Sequence, residues 1–264
     1  VPVGLRGVKT IYSTAYTFAA LKEDGTVAAW GNAGWGGDGV PSGLRDVKTI
    51  YSTGYAFAAL KEDGKVAAWG HSNWGGSVPS GLRGVKTIYS TAYAFAALKE
   101  DGTVAAWGHS SWGGSVPSGL RGVKTIYSTA YAFAALKEDG TVSAWGSSSY
   151  GGSGVPSGLS GVKTIYSTGY AFAALKEDGT VAPWGLSGYG GSGVPGGLRG
   201  VKAIYSTGSA FAALKEDGTV EAWGNSDYGG SGVPVGLGDV ENIFGSTLYL
   251  GQSIYPHTHH FEDN

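Results

Sequence analysis

Cysteine and methionine are both absent from the 264 residues. Without cysteine the chain can build neither a disulfide framework nor a thiolate metal site. That absence fixes no compartment, and a secreted or cell-surface setting is the one we favour. Without methionine, Val1 is not an intact translation start. The opening VPVGLRGVKT is in register with the interior VPSGLRGVKT at 78–87, so the chain reads as a processed product or a piece of a longer protein. Charged residues make up only 14% and the net charge is −2, without the basic excess of a nucleic-acid binder. No run of about 18 apolar residues is present to insert in a membrane, and no secretory leader pattern is visible.

What is abundant is glycine, with 49 residues, and aromatic side chains, at 12%. Disordered chains are poor in aromatic and β-branched residues, so this composition points to a folded, turn-rich β protein. Internal repetition decides which one. Tryptophans followed by glycine fall at Trp30, Trp69, Trp107, Trp145, Trp184 and Trp223, giving spacings of 39, 38, 38, 39 and 39. Six full units follow one another without a linker, and a seventh begins at VPVGLGDVENIFGST (233–247) before diverging.

Each unit reads as three short strands. VKTIYST carries the β-branched residues and tyrosine that suit a pleated, half-buried surface. AFAALK follows after a short turn, then EDG as a hairpin signal in which Asp-Gly tolerates positive φ, then TVAAWG. The rest of the unit is Gly/Ser/Pro-rich loop. Three strands of this length cannot bury enough surface alone, so units must stack on their neighbours. A propeller and a solenoid both do this. The unit length favours propeller blades, and the alanines suit strands crowded near an axis, with the Trp-Gly tryptophan filling space between blades.

The repeat ALKEDGTVAAWG, followed by WGGSVPSGLRGVKTI, resembles that of the β-lactamase inhibitory protein II family, propellers within the regulator-of-chromosome-condensation superfamily. The resemblance runs through residues 1–247, taken as a single propeller domain, with 248–264 as a divergent end and tail. It implies seven blades, the last one incomplete here: Val240, Ile243 and Phe244 fall in its first strand, and no later segment offers a TVAAWG strand. Six blades with a C-terminal extension is the alternative. The resemblance also implies that first-turn aromatics grip a protein target.

Antiparallel succession of the strands assigns loops to faces. One face takes the first turn, with Tyr16, Tyr55, Tyr93, Tyr131 and Tyr170, and Ser209 in the sixth place. The same face takes the loop after Trp-Gly, with Trp35, Trp74, Trp112, Tyr150, Tyr189 and Tyr228. Small polar residues and histidines surround them, including Asn32, His71, His109, Ser147 and Asn225. Tyr and Trp give large contact area at low entropy cost, so both sets are candidate partner-binding residues. Each has a structural alternative: an aromatic before Gly-Gly can pack on the next Val-Pro and pin its loop, and the tyrosines can be packing residues. The opposite face carries Lys22, Glu23, Asp24 and their copies, a mixed-charge ring suited to a solvated surface. A calcium role for Glu23 and Asp24 is disfavoured by the lysine beside them and the shortage of oxygen ligands.

Nothing here assembles a catalytic centre. Catalysis needs one asymmetric constellation, whereas every candidate Ser and Asp recurs in each unit without a recurring His. Arg6, Arg45, Arg83, Arg121 and Arg199 are dispersed around the array rather than clustered as sialidases require. His71 and His109 occupy equivalent loop places and could bridge a zinc ion, with exposed loop histidines as the default. His257, His259 and His260 sit in the tail without a visible second shell. No cofactor and no metal site are expected. A protein-binding propeller of inhibitor or scaffold type is the preferred function. A carbohydrate-binding lectin with one weak site per blade and a structural repeat of a surface or filament are the alternatives.

Overall fold

The computed structural model describes residues 1–243. They form six separate three-stranded sheets, each with its strands in chain order. The first blade comprises β1 (Val8–Ser13), β2 (Thr17–Lys22) and β3 (Val27–Gly31), and the second β4 (Val47–Ser52), β5 (Ala56–Lys61) and β6 (Val66–Gly70). The third holds β7 (Val85–Ser90), β8 (Ala94–Lys99) and β9 (Val104–Gly108), and the fourth β10 (Val123–Ser128), β11 (Ala132–Lys137) and β12 (Val142–Gly146). The fifth holds β13 (Val162–Ser167), β14 (Ala171–Lys176) and β15 (Val181–Gly185), and the sixth β16 (Val201–Ser206), β17 (Ala210–Lys215) and β18 (Val220–Gly224). All pairings are antiparallel, and each first strand is bulged at its lysine, as at Lys124 between Val123 and Thr125. Among the described residues no helix is long and apolar enough to cross a membrane.

The blade count is therefore six among the described residues, the alternative rather than the favoured seven. Val240 and Ile243, expected in a seventh first strand, lie in irregular backbone. Only the entry to that strand is retained, where the Val240 amide donates to the Gly218 carbonyl at 3.1 Å as Val201 does to Gly179. A strand needs a partner ladder, and none of residues 233–243 has one. Phe244, the tail histidines and the proposed boundary at 247 lie outside the described residues.

The core sits between blades, not within them. A strand sends alternate side chains to opposite faces, and the middle strand is covered on both. In the fourth blade, Ala132, Ala134 and Leu136 pack forward on Val162, Ile165, Phe172 and Trp184 of the fifth. Phe133, Ala135, Ile126 and Trp145 pack back against Ala94, Ala96 and Leu98 of the third. The alanines thus serve the blade–blade joint from the middle strand, whereas the first strands of successive blades run alongside one another. Small residues are needed there because a neighbour's Phe and Trp fill the space opposite. The tryptophans fill it as expected, at 2–4% exposure in blades two to six.

The hairpin differs in detail from its sequence signal. In the fourth blade the Gly140 amide donates to the Lys137 carbonyl at 3.0 Å. Gly140 takes φ +75° while Asp139 keeps negative φ, so this is a three-residue connection closed by a left-handed glycine rather than a two-residue primed turn. The glycine carbonyl then accepts from Val162 of the next blade at 3.1 Å.

Candidate binding face

The turn between the first and second strands is organised by its threonine. In the second blade Thr53 Oγ1 accepts from the amides of Tyr55 and Ala56 at 3.2 and 3.0 Å. The same hydroxyl donates to the Trp74 carbonyl at 3.0 Å, tying the first turn to the loop after Trp-Gly. Thr91, Thr129, Thr168 and Thr207 repeat this with Trp112, Tyr150, Tyr189 and Tyr228. In the first blade Thr17 replaces the alanine and donates to the Trp35 carbonyl instead. Backbone bonds then link the turns of successive blades, as from Gly54 to Ala92 at 2.9 Å and from Ala92 to Ala130 at 3.0 Å.

Each post-Trp-Gly loop forms a short 3-10 turn ending in a left-handed glycine, such as Gly113 at φ 110°. The next blade's indole holds that glycine: Trp145 Nε1 donates to the Gly113 carbonyl at 3.0 Å. Trp69, Trp107, Trp184 and Trp223 do the same for Gly36, Gly75, Gly151 and Gly190. The loop is therefore pinned by the following Trp-Gly strand, a cross-blade bond that sequence reasoning missed. Its signal was the co-occurrence of Trp-Gly and aromatic-Gly-Gly in every unit.

These anchors bring the two predicted aromatic sets together. Tyr16, Trp35, Tyr55 and Trp74 follow one another at centroid distances of 4.0, 5.0 and 4.2 Å. Trp74, Tyr93, Trp112 and Tyr131 continue at 5.9, 4.3 and 5.9 Å. Tyr131, Tyr150, Tyr170 and Tyr189 follow at 4.7, 5.6 and 4.7 Å. The five first-turn tyrosines also stack on each other at 5.6–6.1 Å. The result is one zigzag belt across five blades. Most of its rings are half-buried, while Tyr16 at one end and Tyr228 beyond the other are more than half exposed. Ser209 interrupts the tyrosine row and is itself buried. Burial, and then the neighbouring phenols of Tyr55 and Tyr131, push the Tyr93 hydroxyl up to about 12. Burial and Tyr170 move Tyr131 in the same direction.

No family model and no curated protein sequence matches the chain. Solved structures do. The ectodomain of the Physcomitrella patens receptor kinase CR4 is 19% identical with a TM-score of 0.52, over 82% of this chain and 61% of that one. This chain thus spans under two thirds of that protein's length. Human WBSCR16 is 16% identical at a TM-score of 0.51, over 85% and 77%. Prp20p of Saccharomyces cerevisiae, the yeast RCC1, is 18% identical at 0.50, over 81% and 71%. The fold is a β-propeller like that of these proteins. At these identities the likeness is one of fold.

The opposite face of this propeller is charged and exposed. Asp24 accepts from both the amide and the hydroxyl of Thr26, which with Lys22 holds its carboxyl down at about 2. Asp178 is held at about 2 in the same way by Thr180 and Lys176. Lys22 and Asp24 pair at 3.3 Å and Lys176 and Asp178 at 3.0 Å, exposed contacts of little energetic weight. Arg6, Arg45, Arg83, Arg121 and Arg199 are exposed, one to a blade entry. His71 and His109 stack on Trp74 and Trp112 at 4.4 and 4.2 Å, and their buried Nδ1 atoms have no hydrogen-bond partner. Asn32 and Asn225 at the same place accept an amide instead. Among the described residues no group of three or more His, Cys, Asp or Glu is placed to hold a metal ion.

Proposed function

We propose that the chain is a non-enzymatic binding propeller that engages a protein partner through the aromatic belt, in the manner of an inhibitor or scaffold. The observation carrying this is the belt's continuity: Tyr16 to Tyr189 form one connected aromatic surface instead of separate pockets. The first turns, and the stretches between each Trp-Gly and the following Val-Pro, contain only Asp38 and Asp227 as charged residues. Large, preorganised aromatic area flanked by Ser, Asn and His is what protein interfaces use for their central contacts. Prp20p, of similar fold, binds Gsp1p and histones, which makes a protein partner a reasonable class for this fold. Chromatin components belong among the candidates to be screened.

The lectin reading has a weaker footing. Sugar stacking needs open ring faces, and here the tyrosine faces are turned toward one another while His71 and His109 each cover a tryptophan face. The edges and hydroxyls that remain suit a polypeptide better. The test is capture from native extract with the parent, Tyr93→Ala and Tyr131→Ala, alongside a glycan array probed with the parent and Trp112→Ala. Loss of a specific protein in both tyrosine variants supports the proposal. Retention of every partner by both removes the belt from the interface, and glycan binding lost in Trp112→Ala establishes the lectin instead.

A further inference from the structure

The two ends of the blade array carry the two halves of a joint that is closed five times inside it. On the leading end, Ile11 is 55% and Phe18 47% exposed, whereas the equivalent Ile126 and Phe133 are wholly buried. Phe18 and Trp30 nonetheless stack at 5.4 Å and 24°, like Phe133 and Trp145 at 5.2 Å and 29°. The plug is therefore formed before anything covers it. On the trailing end, Gly229 occupies the place of Gly190. A methyl group on Gly190 would strike Phe211 of the next blade at 2.5 Å, while one on Gly229 would meet no described residue within 4 Å. Beside it Thr207 is exposed and Ala212 half-buried, where Thr168 and Ala173 are buried. Among the described residues nothing takes the place beside Gly229 that Phe211 takes beside Gly190.

We propose that these ends form a sixth joint between two molecules, with the Phe18–Trp30 face of one copy seated on the Gly229 side of another. The internal joints state what each half accepts. Four internal trailing faces of Ala, Ala and Leu, and the first blade's Thr17, Ala19 and Leu21, receive Ile, Phe and Trp, and the end faces carry the same residue types in the same places. At one end Ala210 and Leu214 are already buried and Ala212 is the half-open position between them, while Ile11, Phe18 and Trp30 stand at the other. The indole of Trp30 would donate to the Gly229 carbonyl, as Trp223 does to Gly190. Such a contact uses different patches on the two partners, so it propagates head to tail rather than stopping at a two-fold dimer. The lower part of the seat holds the molecule's own Val240 amide on Gly218. An incoming Val8 exchanges with it, and the preceding segments, Val1–Leu5 and Val233–Leu237, are both VPVGL.

Sedimentation velocity on the full chain tests this. The parent should grow from monomer to dimer and longer species as concentration rises. Phe18→Glu and Ala212→Glu, each with one end blocked, should stay monomeric alone and form a capped dimer when mixed in equal amounts. Ile11→Lys and Tyr228→Glu, both at exposed positions, provide a second pair should either of the first melt early. A parent that remains monomeric at all concentrations overturns the proposal, whether its ends are open or closed within one chain. Persistent association of either single variant overturns it too, because identical faces would then be pairing.

Discussion

The joint between the third and fourth blades and the leading face of the first blade are built from the same residue types. At the joint Phe133 and Ile126 are wholly buried; on the first blade Phe18 and Ile11 are about half exposed. Burial here is a property of the neighbour, and a repeat that looks self-sufficient in one dimension is half an interface in three. This comparison yields graded expectations. Phe133→Ala should destabilise by about 3–5 kcal/mol, since it empties a packed joint. Phe18→Ala should cost about 1 kcal/mol or less, as surface substitutions do. Urea unfolding of both variants at concentrations where the chain is monomeric measures the gap, and equal losses there would mean that the leading face is covered within one molecule.

Smaller effects sharpen the contrast. A methyl at Gly113 would meet the Phe133 ring at 2.6 Å, so Gly113→Ala adds overpacking of about 1–3 kcal/mol to the cost of its left-handed backbone. Gly229→Ala carries the backbone cost alone, and the difference between the two melting curves isolates the clash. Trp145→Phe orphans the buried Gly113 carbonyl and should lose about 1–3 kcal/mol, whereas Trp30→Phe leaves no such acceptor stranded. The least effect is expected at the hairpins, which are alike in five blades and differ in the second, where Lys65 replaces the threonine. Asp24 and Asp178 have folded pKa values near 2, below the ordinary carboxylate value. Their contribution is therefore present above that ordinary value and fades as pH falls toward about 2. Carboxyl carbon shifts should titrate there in both hairpins, and Thr26→Val should raise the midpoint of Asp24 while leaving Asp178 unchanged.

Much of this fold was legible because its cues are local. AFAALK spans a middle strand to the residue, as at Ala132–Lys137, and the Trp-Gly ruler gave the blade period. The placement of both aromatic sets on one face followed from strand direction alone. Their fusion into a belt did not, because ring contact depends on how far one blade is turned against the next. The same holds for the Trp145–Gly113 bond and for the role of the alanines, each of which joins residues one repeat apart. Blade number was harder still. Val240 and Ile243 have strand-like letters, but a strand exists only where a neighbour completes its ladder.

Because the four later internal joints are built from the same residue types, and the first differs from them at Thr17, no one of those four identifies which blade it belongs to. A variant lacking one interior unit should fold with all its remaining seams intact, shorter by a step. By the same token, nascent copies have little to tell the correct neighbour from the next one along. Fidelity of assembly in such a chain rests on the order in which units emerge and dock, so dilution and slow synthesis should favour correct molecules where rapid refolding from denaturant yields shuffled ones.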